Sequence, residues 1–235
     1  RLAAEGAVVT ICGRNQERLD AAVTELEGAV RAVTCDVTDE DQVKAAVQAA
    51  AEPTGSLDVV VASAGGSSTI GPITQVDTQA FRDTMDLNVV GTFLALKHAA
   101  PAMIRAGGGS FIGISSIAGS TTHRWFGAYG PSKAGIEALI QMAADELGAS
   151  NVRVNAIAPG PILAPAGLSD EERRAVEEAT PLGRWGGEIE IANGNVAALG
   201  EPVEPEARLF QLVERPREVD RAHQRHDLEC LRRRL

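Results

Sequence analysis

Tyr129 is the only tyrosine in 235 residues, and Lys133, four positions on, is one of three lysines in a chain whose other cationic side chains are arginine. At the start of a helix that spacing puts both side chains on one face. A phenol beside an ammonium is a proton donor, because the positive charge stabilises the phenolate left behind. At about 4 Å and an effective dielectric of about 20, the attraction is about 4 kcal/mol. Taken alone, Tyr-x-x-x-Lys is also what a half-buried aromatic beside a solvated charge looks like. Ser116, thirteen residues before the tyrosine, offers a hydroxyl to a substrate oxygen or, equally, a cap to a strand end. Asn88, in Asp-Leu-Asn-Val-Val-Gly, offers an amide within a helical pattern, where it can also bond neighbouring main chain.

These groups need a frame, and the hydrophobic pattern supplies one. Arg1 to Glu5 read as the last turn of a helix closed by Gly6. Apolar runs predict strands over Ala7–Cys12, Val30–Cys35, Leu57–Ala62, Ser110–Ile114 and Val152–Ala158. Helical periodicity covers Gln16–Leu26, Asp39–Ala51, Ala80–Ala106 (interrupted by Pro101), Ala128–Leu147 and, less regularly, Glu188–Leu199. Strands alternating with helices give an α/β fold, a doubly wound, Rossmann-type parallel sheet. Residues 1–200 read as that domain. Residues 201–235, rich in Pro, Glu and Arg, read as an irregular charged tail.

In such sheets a ligand lies beyond the carboxyl ends of the strands. The loops there contain Cys12-Gly-Arg-Asn15, Cys35-Asp-Val37, Ala62-Ser-Ala-Gly65, Ser115-Ser116 and Pro159-Gly160. With Ser116, Tyr129, Lys133 and Asn88, they make the sequence resemble the short-chain dehydrogenase/reductases over about residues 1–185. The resemblance implies hydride transfer between a nicotinamide cofactor and a carbonyl/secondary alcohol pair, similar to 3-oxoacyl reductases in general pattern. Tyr129 would move the proton, Lys133 would stabilise the phenolate and bond the nicotinamide ribose, Ser116 would hold the carbonyl oxygen, and Asn88 would anchor a relay water. Cofactor contacts are implied at Arg14, Asp36, Val37, Ala62, Ala64, Gly65, Tyr129, Lys133, Pro159, Gly160 and Ile162. Arg14 follows Gly13 where an NAD-selecting acid stands in the family, which favours NADP(H) over NAD(H). Asp36 could instead cap the turn Asp36-Val-Thr-Asp.

The sequence departs from the family pattern at Ala62-Ser63-Ala64-Gly65, where asparagines are usual, and at Ala164, where a threonine is usual. The family's first strand and glycine-rich phosphate turn would precede Arg1. Without that strand, the two strands beside it are expected to carry unpaired backbone groups. A catalytically silent remnant or interaction module, unable to hold cofactor, is therefore the alternative reading. Substrate selection is expected from His123–Phe126 and Leu163–Ser169, and a homodimer or homotetramer through the two long helices.

A net charge of -10 and pI near 4.9 argue against nucleic acid or anionic membrane as the main partner. No apolar run approaches the roughly 18 residues of a membrane span, and no signal peptide is visible. Cys12, Cys35 and Cys230 are odd in number and dispersed, which points to no metal site, reduced thiols and a cytoplasmic location.

Overall fold

A computed structural model describes residues 1–52, 54–69, 71–199 and 208–212. Six strands form one parallel sheet: β1 (Val8–Gly13), β2 (Val30–Thr34), β3 (Val59–Ala62), β4 (Gly109–Ile114), β5 (Val152–Ile157) and β6 (Arg208–Leu212), in the order β2-β1-β6-β3-β4-β5. Side chains alternate across it, as a period of two requires. In β3, Val60 and Ala62 face one core with Phe111 and Val154, while Val59 and Val61 face the other with Val9, Ile11 and Ile112. Helices α2 (Glu40–Ala51), α4 (Gly91–Arg105) and α5 (Tyr129–Gly148) cover the first face. On the second, α1 (Gln16–Glu25) buries Leu19, and α7 (Glu188–Leu199) packs against β4 and β5.

The helix starts follow from capping. Asn15, Asp39 and Asp77 each accept a backbone N–H of the first turn, satisfying a donor that has no intrahelical partner. Arg1–Glu5 do form a turn, with the Glu5 N–H on Arg1 O at 3.1 Å and Gly6 at φ 98°.

Two expectations need correction, and a third point adds to them. The first concerns the tail. Residues 208–212 are not irregular: β6 lies in the middle of the sheet, pairing Val8 with Arg208 through Cys12 with Leu212 on one side and Val59 with Leu209 through Ala62 with Leu212 on the other. Its ladder satisfies β1 and β3, which were expected to lack a shared neighbour. The remainder of the tail, including Cys230, lies outside the described residues.

The second concerns the long helix. It runs unbroken from Thr78 to Arg105 as α3 (Thr78–Met85), a π-turn (Asp86–Val90) and α4. Pro101 sits inside α4 without ending it, on the exposed side where solvent can take the released carbonyl. The irregularity falls instead at the π-turn, where the Gly91 N–H reaches back five residues to Asp86 O. This 28-residue helix is long and apolar enough by composition to cross a membrane, contrary to the sequence reading, but 56% of its apolar window is buried in the fold. It is a core helix.

The third is an addition. Helix α6 (Asp170–Ala179) follows the expected substrate loop and opens with a capping box between Ser169 and Glu172.

Candidate active site

The proton-transfer residues meet where β4 ends and α5 begins. Lys133 is buried, and its Nζ donates to the Ile114 carbonyl at 2.8 Å while standing 5.5 Å from the centre of the Tyr129 ring. That range suits a cation over an aromatic face. Burial pushes the Lys133 ammonium down from 10.5 to about 8, because removing water disfavours the charged form. Tyr129 itself is half-buried.

Asn88 sits on the π-turn and is fully buried. Its Oδ1 accepts the Gly66 N–H at 2.9 Å, and its Nδ2 donates to Gly66 O and to Ser132 Oγ, both at 2.8 Å. The Ser132 hydroxyl in turn donates to Tyr129 O at 2.7 Å. One asparagine thus ties the loop after β3 to the first turn of α5. The Thr92 hydroxyl takes the Asn88 carbonyl at 2.7 Å. Gly65 closes the corner: a Cβ there would fall 2.7 Å from Asn88 Oδ1 and 3.2 Å from Lys133 Nζ.

Ser116 is buried and caps the short 3-10 turn Ile117–Gly119, accepting the Ala118 N–H at 3.2 Å. The same turn rests on the end of β5: the Ile117 N–H donates to Pro159 O at 3.0 Å, and Gly160 lies against the Ile117 side chain. Pro159 and Gly160 therefore adjoin Ser116, whereas Ile162 pairs further out with Gly186. The aromatic edge next to Tyr129 is formed by Phe126, 6.3 Å from the tyrosine ring, and His123, 5.7 Å from Phe126. Thr69 fixes this loop by accepting the Ala128 N–H at 3.0 Å, and Trp125 adopts a left-handed φ of 73°.

The dinucleotide residues divide into two groups. Arg14 and Asp36 line a cavity of about 360 Å³ together with Ser67, Asp83 and Asp86. Asp36 also caps its turn, accepting the Thr38 N–H at 3.0 Å and hydroxyl at 2.7 Å, as the second of its two sequence readings held. Val37, Ala62 and Ala64 instead turn their side chains into the core, and Val37 presses on Gly91 of α4. Only their backbone is left for a cofactor. Among the described residues no three His, Cys, Asp or Glu side chains cluster in a way that could hold a metal.

Two residues of this site were missed from sequence. Ser132 and Thr69 carry no chemistry of their own, and their importance comes from the hydrogen bonds they make after folding. A signal for Ser132 existed, since a serine three residues into a helix often bonds back to the preceding turn.

The family model described as enoyl-(acyl carrier protein) reductase matches residues 1–201. A cis-4-hydroxycyclohexanecarboxylate dehydrogenase of Sinomonas cyclohexanicum is 36% identical over 197 residues, covering 82% of this chain and 79% of the relative. A 3-oxoacyl-[acyl-carrier-protein] reductase of Staphylococcus aureus is 33% identical over 199 residues, 82% and 80% of the two chains. Among solved structures, a short-chain type dehydrogenase/reductase from Mycobacterium ulcerans superposes with a TM-score of 0.82 at 49% identity, over 90% of this chain and 81% of the other. An actinorhodin polyketide ketoreductase with NADPH gives 0.79 at 27% identity, over 90% and 88%.

Proposed function

The chain belongs to the short-chain dehydrogenase/reductase family of NAD(P)-dependent oxidoreductases, and from that premise we propose that it interconverts a small secondary alcohol and its ketone, with NADP(H) favoured over NAD(H). One observation carries the reading: the only tyrosine stands beside a buried lysine, at a corner that Asn88 locks from two sides.

Tyr129 gives the proton to the substrate oxygen in reduction and takes it back in oxidation. The Lys133 ammonium stabilises the phenolate and bonds the nicotinamide ribose. Ser116 holds the carbonyl oxygen through its hydroxyl hydrogen, which the cap at Ala118 does not consume because there the oxygen accepts. Asn88 would anchor a relay water, and its side-chain amide is engaged by Gly66 and Ser132. Its part in this reading is to position α5. The cofactor, when bound, donates or accepts the hydride.

The residues fit a nicotinamide end better than a pyrophosphate. Gly65 lets the backbone pass close to Asn88 and Lys133, and Arg14 faces the cavity where an adenosine would lie. However, three carboxylates, Asp36, Asp83 and Asp86, share the wall of that cavity and oppose a polyanion there. This favours, as a second reading, a fold that keeps the proton-transfer corner but holds dinucleotide weakly.

Self-association through α4 and α5 belongs to the proposal. Phe93, Ile104 and Met142 are 43%, 42% and 54% exposed on those helices, more apolar surface than single scattered residues would leave. A cytoplasmic location is proposed with it.

The test is turnover of 4-hydroxycyclohexanecarboxylate with NADP⁺ or NAD⁺, and of a 3-oxoacyl thioester with NADPH or NADH, alongside dinucleotide binding by thermal shift. Tyr129→Phe should cut kcat by about a thousandfold and leave dinucleotide affinity within twofold. Retained turnover in that variant rejects the assigned proton donor. No thermal shift with saturating dinucleotide selects the second reading.

A further inference from the structure

The end of β4 is fastened to α5 by a second set of bonds that the assigned residues do not account for. Ser115, buried beside Ser116, donates its hydroxyl to Glu137 Oε1 at 2.7 Å and also lies 3.2 Å from the Lys133 carbonyl. Its neighbour Ile114 receives the Lys133 ammonium. Two consecutive residues, Ile114 and Ser115, therefore bond two positions one turn apart on α5, Lys133 and Glu137, on the face that also carries Tyr129.

Gly119 shows that the carboxylate needs its place. A Cβ on Gly119 would stand 2.6 Å from Glu137 Oε1 and 3.0 Å from the Lys133 backbone carbon. The turn that Ser116 caps therefore closes over the carboxylate because it has no side chain there. A half-buried carboxylate that accepts a 2.7 Å hydroxyl bond is a strong, directional anchor.

Resting on the reading above, we infer that Glu137 is a positioning residue: through Ser115 it sets the distance between the Ser116 turn and the Tyr129–Lys133 helix face. It touches neither substrate nor cofactor. It acts as the acceptor of the Ser115 hydroxyl hydrogen.

The experiment uses the full chain with Glu137→Leu, Glu137→Gln and Ser115→Ala, plus the double variant Ser115→Ala/Glu137→Leu. Misplacing a catalytic group by a fraction of an ångström up to 1 Å costs about ten- to a hundredfold in rate. Glu137→Leu and Ser115→Ala should each lower kcat by about tenfold with KM for dinucleotide within twofold, and the double variant should lose no more than either single one. Glu137→Gln, which keeps an acceptor, should restore kcat to within threefold.

A second readout is independent of turnover. Tyr129 is the single tyrosine, so carbon-labelled tyrosine gives one set of ring signals. Those signals should move in Glu137→Leu and Ser115→Ala and stay in place in Glu137→Gln. Should Glu137→Leu fail to fold, Ser115→Ala, which loses only a hydroxyl, carries the test. Unmoved signals and unchanged kcat in Ser115→Ala overturn the inference, as does a Glu137→Gln variant as impaired as Glu137→Leu. Retained turnover in Tyr129→Phe would reject the proposed function instead, leaving the ring-signal test to decide the role of Glu137.

Discussion

Two regions at the same sheet edge are built on opposite plans. Around Tyr129, polar side chains are buried and meet each other: Asn88 with Gly66 and Ser132, Lys133 with Ile114, and Ser115 with Glu137. Around Arg14 the cavity is open, and three carboxylates, Asp36, Asp83 and Asp86, share its wall with one guanidinium. The first region is fixed before any ligand arrives, which suits a step that depends on geometry. The second has a charge balance that opposes a polyanion, so selection there rests on a single side chain. The difference teaches that the corner around Tyr129 is preorganised and the cavity around Arg14 is not.

The sharpest way to break this comparison is to remove what both regions stand on. Phe210→Pro takes a backbone donor from the central strand and should cost about 3 kcal/mol or more. Urea unfolding should show an early or non-cooperative transition, with both dinucleotide binding and turnover lost. An unchanged midpoint would mean that β6 does not hold the two halves of the sheet together.

Lys133→Met separates function from stability within the preorganised corner. Turnover should fall by about a hundredfold or more, yet the protein should become more stable at pH 7. The reasoning is one of sign. The folded chain holds this ammonium at about 8, below its ordinary 10.5. Between those values the unfolded chain binds more protons, so the contribution of Lys133 to stability rises with pH across that window. Below about pH 8 the full cost of the buried charge is present, at most about 3 kcal/mol. Urea midpoints of the two proteins measured from pH 7 to pH 10.5 should therefore converge. A Lys133→Met variant less stable at pH 7 would show that the ammonium is better solvated than its burial implies.

Gly65→Ala probes the same corner with one carbon. The added Cβ meets Asn88 Oδ1, so overpacking should cost about 1–3 kcal/mol and kcat should fall by about tenfold, read by thermal unfolding and initial rates. The smallest effect belongs to the open cavity. Arg14→Ser should shift the ratio of NADPH to NADH affinity by no more than about tenfold, the scale of a single exposed charge contact. A hundredfold change would reveal a far more selective site than its carboxylates suggest.

Much of this was legible in the sequence because it depends on local pattern. Val59 to Ala62 is a buried strand in any context, and Asn15, Asp39 and Asp77 carry their capping chemistry with them. The Ser116, Tyr129 and Lys133 spacing fixes one strand end and one helix face, and the fold brings them together. Other features depend on what lies next to them. Arg208–Leu212 is five residues among Pro, Glu and Arg, and it becomes a strand because the sheet offers two edges to pair. Val37 resembles a loop residue until Gly91 opens a place for it in the core. At Pro101, burial of the rest of the helix outweighs one missing hydrogen bond, so the break expected there did not form. Helix α6, like Ser132, was overlooked despite a local signal, since Ser169 and Glu172 spell out a capping box.

The seat of β6 has a consequence for how the chain reaches its fold. Val8 pairs with Arg208, two residues 200 positions apart, and Ala62 with Leu212. The centre of the sheet thus closes through contacts of very long sequence separation, which slows folding. At roughly 5–20 residues per second, about 7–30 s pass between synthesis of β3 and synthesis of β6. Through that interval the edges of β1 and β3 that β6 will pair await it.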